Sequence, residues 1–260
     1  MTGAALGNGV GWLRAHLLGD RRLVGDAPVR VYVTGERRWR ELSGWPPPGA
    51  SEHTFFLSAD GGLSTSAPAR PSPPSRYVYD PADPTPAVGG AMLLEQRPVR
   101  DNRPLEARDD VLTFTTAPLG ADLDALGPVH ADVRLRSSRG DTDVFVRVCD
   151  VQPDGASLNV CDGLIRLTPG EPARDDEGVA AVRFELWPTA HRFAAGHRVR
   201  VQVSSGAHPR YARNPGTGED PFRATRLVAA EQEVFHDPQR PSSVTLTVAP
   251  PGSEPPRAAA

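Results

Sequence analysis

The residues of this chain that could do chemistry include its serines, histidines, cysteines and carboxylates, and the sequence contains no lysine. Ser-Lys dyads and P-loops are thereby removed, since both need that ammonium group. A serine hydrolase of the α/β type sets its nucleophile on a sharp strand-to-helix turn flanked by glycines two residues to either side. No such pentapeptide occurs. Gly62-Leu63-Ser64-Thr65-Ser66 comes nearest, and it lacks the second glycine and a following helix. His191 and His197 bracket the turn Ala194-Ala195-Gly196, with no carboxylate or cysteine at ligand spacing beside them. Asp141 and Asp143 would share one face of a strand, close enough to perturb each other. With no second carboxylate placed across a cleft, they read as a turn former after Gly140 and a strand-entrance residue that bonds backbone. Asp150 and Asp162 read as polar positions beside Cys149 and Cys161. The sequence therefore predicts no catalytic residue, no metal site and no cofactor.

The elements around these residues are strands. Val144, Val146 and Val148 alternate with Phe145, Arg147 and Cys149, the period of a β-strand. Pro153-Asp154-Gly155 supplies a turn, and the chain returns through Leu158, Val160, Leu164 and Ile165. A two-residue Asp154-Gly155 loop would set Cys149 opposite Val160 rather than Cys161. A longer loop would leave a disulfide open, although two small buried thiols are the reading preferred for a cytoplasmic protein. Further strands are expected at Val29–Val33, Thr54–Leu57, Val111–Thr115, Val129–Ser137, Val179–Leu186, His197–Ser204, Gln232–Phe235 and Val244–Val248. Tyr77-Val78-Tyr79, inside the proline-rich stretch Ala67–Pro86, can pair only as a short edge strand. Leu94–Asp109 reads as a polar, arginine-rich connection.

Short strands separated by turns predict an all-β fold, a β-sandwich or jelly roll. A short helix, Gly11–Leu18, precedes it, with Trp12, Leu13 and Leu17 on its apolar face and Gly19 as C-cap. Three parts are expected: 1–27, a helix and linker; 28–249, the sandwich; and 250–260, a disordered tail. The 28 Pro and 25 Gly in 260 residues agree with many turns, and a net charge of −3 gives no reason to expect nucleic acid. The Met1–Val10 segment lacks the basic and apolar regions of a signal peptide, and no stretch approaches the ~20 apolar residues of a membrane span. A cytoplasmic location without membrane contact is the expectation.

Four segments carry a resemblance: PVRVYVTGERRWRELSGWPPP (Pro28–Pro48), Tyr77-Val78-Tyr79-Asp80-Pro81, DTDVFVRVCDVQPDGASLNVCDGLIRL (Asp141–Leu167) and HRFAAGHRVRVQVSSGAHPRYARNPGTG (His191–Gly218). In that order they resemble the CocE/NonD hydrolases, relatives of the X-Pro dipeptidyl-peptidases. The resemblance implies a protein with an α/β-hydrolase domain holding a Ser-His-Asp triad, a helical cap and a C-terminal jelly roll. This chain is similar to the jelly roll, preceded by what resembles the last hydrolase helix. No family catalytic residue has a counterpart here, and His16 lies past the place where the catalytic histidine would fall.

The expected partner is thus an α/β-hydrolase catalytic domain, supplied in trans or missing from a truncated or split chain. Trp39, Trp45, His208, Arg210 and Tyr211 are the candidate docking surface, on the enrichment of aromatics and arginine at interface centres. A free-standing carbohydrate- or protein-binding jelly roll is the alternative. It would present Trp39, Trp45 or Trp187 on a concave face.

Overall fold

The computed structural model describes residues 2–22, 24, 27–91 and 98–251. Its centre is β8 (Thr142–Val151), along which every residue is buried. It pairs antiparallel with β9 (Ser157–Leu167) on one side and β11 (Arg198–Ser204) on the other. With β6 (Leu112–Thr115) at the far edge, these form a four-stranded sheet in the order β6-β11-β8-β9.

The facing sheet is built on β7 (Leu123–Ser137). One side of β7 pairs with β10 (Ala180–Phe193); the other pairs first with β13 (Ser243–Val248) and then with β12 (Ala230–Phe235). Beyond β13 lie β3 (Ser51–Leu57) and β4 (Leu63–Ser64). Beyond β12 lies β5 (Ser75–Tyr79), the edge strand that the Tyr-Val-Tyr alternation predicts. Between the sheets, Val144, Val146 and Val148 meet Val129, Val133, Leu246 and Phe114 in one apolar core. The fold is the expected all-β sandwich with a helix before it.

Three local features depart from the periodicity. The β8–β9 connection has five residues, 152–156, closed by Gln152 N donating to Ala156 O at 2.8 Å. A bulge at Val160 then shifts the register, so Cys161 opposes Val148 while Cys149 opposes Asn159. Adjacent strand positions point to opposite faces, so Cys161 joins the core and Cys149 turns outward. Both are free and buried, and the pleat, rather than loop length, decides against a disulfide.

β7 begins six residues earlier than expected and runs through Gly127-Pro128. β10 continues past Leu186 by means of a second bulge, at Trp187-Pro188, before pairing resumes at Thr189–Gly127. A Pro in a strand signals a break unless the partner accommodates it, and here the bulge does so.

Outside the sandwich, β1 (Val29–Val33) and β2 (Arg38–Leu42) form a separate hairpin. Its inner face inserts Val33 beside Leu126 and Ala249. The helix α1 (Thr2–Leu18) starts earlier than its apolar spacing indicates. It rests on the small residues Gly11 and Ala15, and Leu6, Val10, Leu13 and Leu17 are exposed. Those four recur at four, three and four residues, so they share one stripe on the side away from Gly11 and Ala15. Trp12, placed by its spacing with Leu13 and Leu17, is exposed to one side of that stripe. A one-turn helix, α2 (Arg103–Glu106), interrupts the connection expected to be only irregular. The tail at 252–260 lies outside the described residues.

Candidate functional site

The outer face of the four-stranded sheet carries the chain's polar side chains, and it too is covered. Arg147 projects there from β8 and is fully buried. Its guanidinium donates to Asp162 Oδ2 at 2.8 Å, to Asn102 Oδ1 at 2.7 Å and to the Val88 carbonyl. Arg210 Nη1 lies 2.7 Å from the other Asp162 oxygen, at ion-pair distance without hydrogen-bond geometry. Gly90, at a positive φ of 104°, passes so close that a Cβ would fall 2.4 Å from Arg210 Nη1. Glycine is required there because the backbone runs over a charged platform. Asp162, read from sequence as a polar position beside a cysteine, is therefore the hub of a buried ion pair.

Asp150 is corrected in the same way. Its Oδ2 faces His191 Nε2 at 3.2 Å and its Oδ1 faces His197 Nδ1 at 2.8 Å. His191 Nδ1 meets Thr34 Oγ1 at 2.8 Å. The carboxylate that sequence spacing did not supply to these histidines arrives from another strand. Asp143 does not bond backbone as expected: it accepts two hydrogen bonds from Arg166 at 2.8 Å each and one from Asn214 Nδ2 at 2.8 Å.

These groups hold loops in place: the Thr34 hydroxyl beside His191 is within hydrogen-bond distance of the Ala190 carbonyl, at 3.1 Å. Cys149 is buried, and burial pushes its thiol up to about 12, so it stays protonated. Burial raises the Cys161 thiol further. Among the described residues no group of three or more His, Cys, Asp or Glu has the geometry to hold a metal ion.

The five sequence-predicted docking residues separate into two places. Trp39 and Trp45 are exposed on and just after β2. Trp39 stacks edge-on against Tyr32, with the Arg30 guanidinium 5.0 Å from its ring. His208 is exposed, whereas the Arg210 side chain is only 8% exposed and stacks 5.0 Å over Tyr211, which in turn packs on Phe145. Arg210 and Tyr211 are committed to the sheet.

Between the β1–β2 hairpin, β9 and β10 lies a concave pocket of about 690 Å³. Tyr32, Arg37, Val99, Val160 and Trp187 line it, with Asp150 and His197 also on its walls. Sequence reading missed Arg37 and this pocket. The one available signal is Arg37 itself, an arginine at the end of a Gly-Glu-Arg turn.

The comparisons agree with this architecture. The profile of the X-Pro dipeptidyl-peptidase C-terminal non-catalytic domain matches residues 24–245. The chain is 34% identical over 252 residues to the cocaine esterase of Rhodococcus sp. strain MB1 Bresler, covering 90% of this chain and 44% of that protein. An α-amino acid ester hydrolase structure superposes with a TM-score of 0.80 at 31% identity, covering 92% of this chain and 44% of that one. A CocE/NonD family hydrolase from Staphylococcus aureus shares the fold with a TM-score of 0.62 at 13% identity, over 94% and 46% of the two chains. A β-sandwich of the jelly-roll class is what the fold defines. The chain belongs to the X-Pro dipeptidyl-peptidase C-terminal domain family, as found in CocE-type hydrolases. It spans less than half the length of the relatives it matches.

Proposed function

We propose that this chain is the non-catalytic jelly-roll portion of a serine hydrolase that cleaves esters or Xaa-Pro peptides through an acyl-enzyme. The α/β-hydrolase domain would supply the Ser-His-Asp triad, in the same protein or in trans. The observation that carries this reading is the profile match over 24–245, together with coverage of 44% of an esterase. Residues 28–249 form the jelly-roll unit in this reading. The exposed α1 stripe, with Trp39, Trp45 and His208, forms the surface that meets the hydrolase domain. Arg210 and Tyr211 brace that surface from behind through Asp162 and Phe145. A cytoplasmic setting fits two thiols that face opposite sides of a sheet. No described helix is long and apolar enough to cross a membrane.

A sugar-binding reading has one observation in its favour: Trp187 is 59% exposed and lines a concave pocket. It is weakened because the pocket's carboxylates Glu36, Asp150 and Asp162 are already engaged by arginines and histidines. Sugar hydroxyls would compete for those acceptors.

The test uses the purified chain with a serine-reactive fluorophosphonate and p-nitrophenyl esters. Neither labelling nor hydrolysis above background is expected. A labelled serine would overturn the non-catalytic assignment. In the presence of the hydrolase domain, labelling is expected on that domain alone.

A further inference from the structure

The pocket beside the β1–β2 hairpin is built from irregular backbone. Arg37 has a φ of 61° and is the only non-glycine residue with a positive φ among the described residues. Trp187 sits on the β10 bulge and Val160 on the β9 bulge. Bulges re-aim side chains, and a left-handed non-glycine residue is strained, so both features gather at ligand sites. Three such departures converge on one cavity whose volume is in the range for small ligands.

The charges in the pocket indicate what it would take. Glu36 is neutralised by Arg38, Arg40 and Arg192; Asp162 is met by Arg147 and Arg210; Asp150 is shared by His191 and His197. Arg192 is itself held by Asp124. Arg37 is exposed and makes no ion pair among the described residues. Among the described residues the site thus offers one uncommitted guanidinium beside the apolar surfaces of Trp187, Val99, Val160 and Tyr32. We infer that this pocket binds a small organic monocarboxylate carrying an aromatic or branched aliphatic body. The carboxylate pairs with Arg37 and the body lies against Trp187. The inference is independent of the hydrolase reading.

The experiment titrates the full chain with 3-phenylpropionate, and separately with 3-phenylpropionamide. Binding is followed through the indole N–H resonance of Trp187, assigned with Trp187→Phe. Saturable perturbation by the acid is expected, weakened about tenfold or more both for the amide and for Arg37→Gln, as for loss of a charge-assisted hydrogen bond. Arg37→Gly separates binding from folding. Glycine relieves the positive φ, so the variant should melt at or above the parent temperature while binding as poorly as Arg37→Gln. Equal binding of acid and amide, undiminished binding by Arg37→Gly, or an unperturbed Trp187 would each overturn the inference.

Discussion

The two faces of β8 are equally buried and held by different physics. Inward, Val144, Val146 and Val148 contribute through area removed from water, which is non-directional and tolerant of relaxation. Outward, Arg147 is fully enclosed and stable only because carboxylate, amide and carbonyl oxygens surround its guanidinium. Desolvating a charge costs several kcal/mol, and the pair repays this only while every partner is present. The apolar face makes the sandwich. The polar face fixes the chain segments that cross it at Val88–Gly90, Asn102 and Arg210.

The difference can be broken by substitution. Arg147→Met strands Asp162 beside a single arginine and should cost about 3–5 kcal/mol, read from urea unfolding. Adding Asp162→Leu should recover part of that loss, less than all because Arg210 then loses its carboxylate; purely additive losses would show that the pair is not coupled. Val146→Ala, on the opposite face, removes two buried methyl groups and should cost about 2 kcal/mol with its cavity, with no recovery from any polar substitution.

A second contrast sets the sandwich against the β1–β2 hairpin, where the Val33 contact with Leu126 and Ala249 is joined by an electrostatic anchor. Burial opposes ionisation of Asp124, but hydrogen bonds from Arg192 and Arg40 outweigh it and hold its carboxyl below the usual carboxylate range. Glu36 is lowered against its burial by Arg38 and Arg40. Both pKa values lie below those of the unfolded chain, so this stabilisation is present above the ordinary carboxylate pKa values, 3.8 and 4.5. It is lost as pH falls through the depressed values. Hydrogen exchange at Val33 and Leu42 should therefore accelerate in that acid range before exchange at Val146 does; simultaneous loss would make hairpin and sandwich one cooperative unit.

The smallest effect concerns the thiols. Cys149 and Cys161 should resist alkylation near neutral pH until the sandwich unfolds, since burial holds both protonated. Rapid labelling of the native chain would show that the outer face opens independently of the core.

Most strands were legible because a half-buried sheet writes its period into the sequence, as at Val144–Val148 and Val244–Val248. The bulges were not. Trp187-Pro188 looks like an end when the accommodating partner, Gly127, lies about sixty residues away in the chain. β2 is not legible in the sequence because Arg38-Trp39-Arg40-Glu41-Leu42 buries Arg40 inward, against Glu36 and Asp124, where the strand period calls for an apolar residue. The pairings of Asp150 with His191 and His197, and of Asp162 with Arg147 and Arg210, join residues on different strands or loops, and no local spacing encodes them.

By itself, then, the sequence determined the fold class, the family and the want of a nucleophile motif, because each is carried by contiguous residues or short periods. Tertiary structure decided that two cysteines face opposite ways, that Arg210 braces the sheet, and that Arg37 and Trp187 share a pocket. Those outcomes depend on register and on strand neighbours far apart in the chain. A one-residue bulge is enough to reverse which face a side chain occupies.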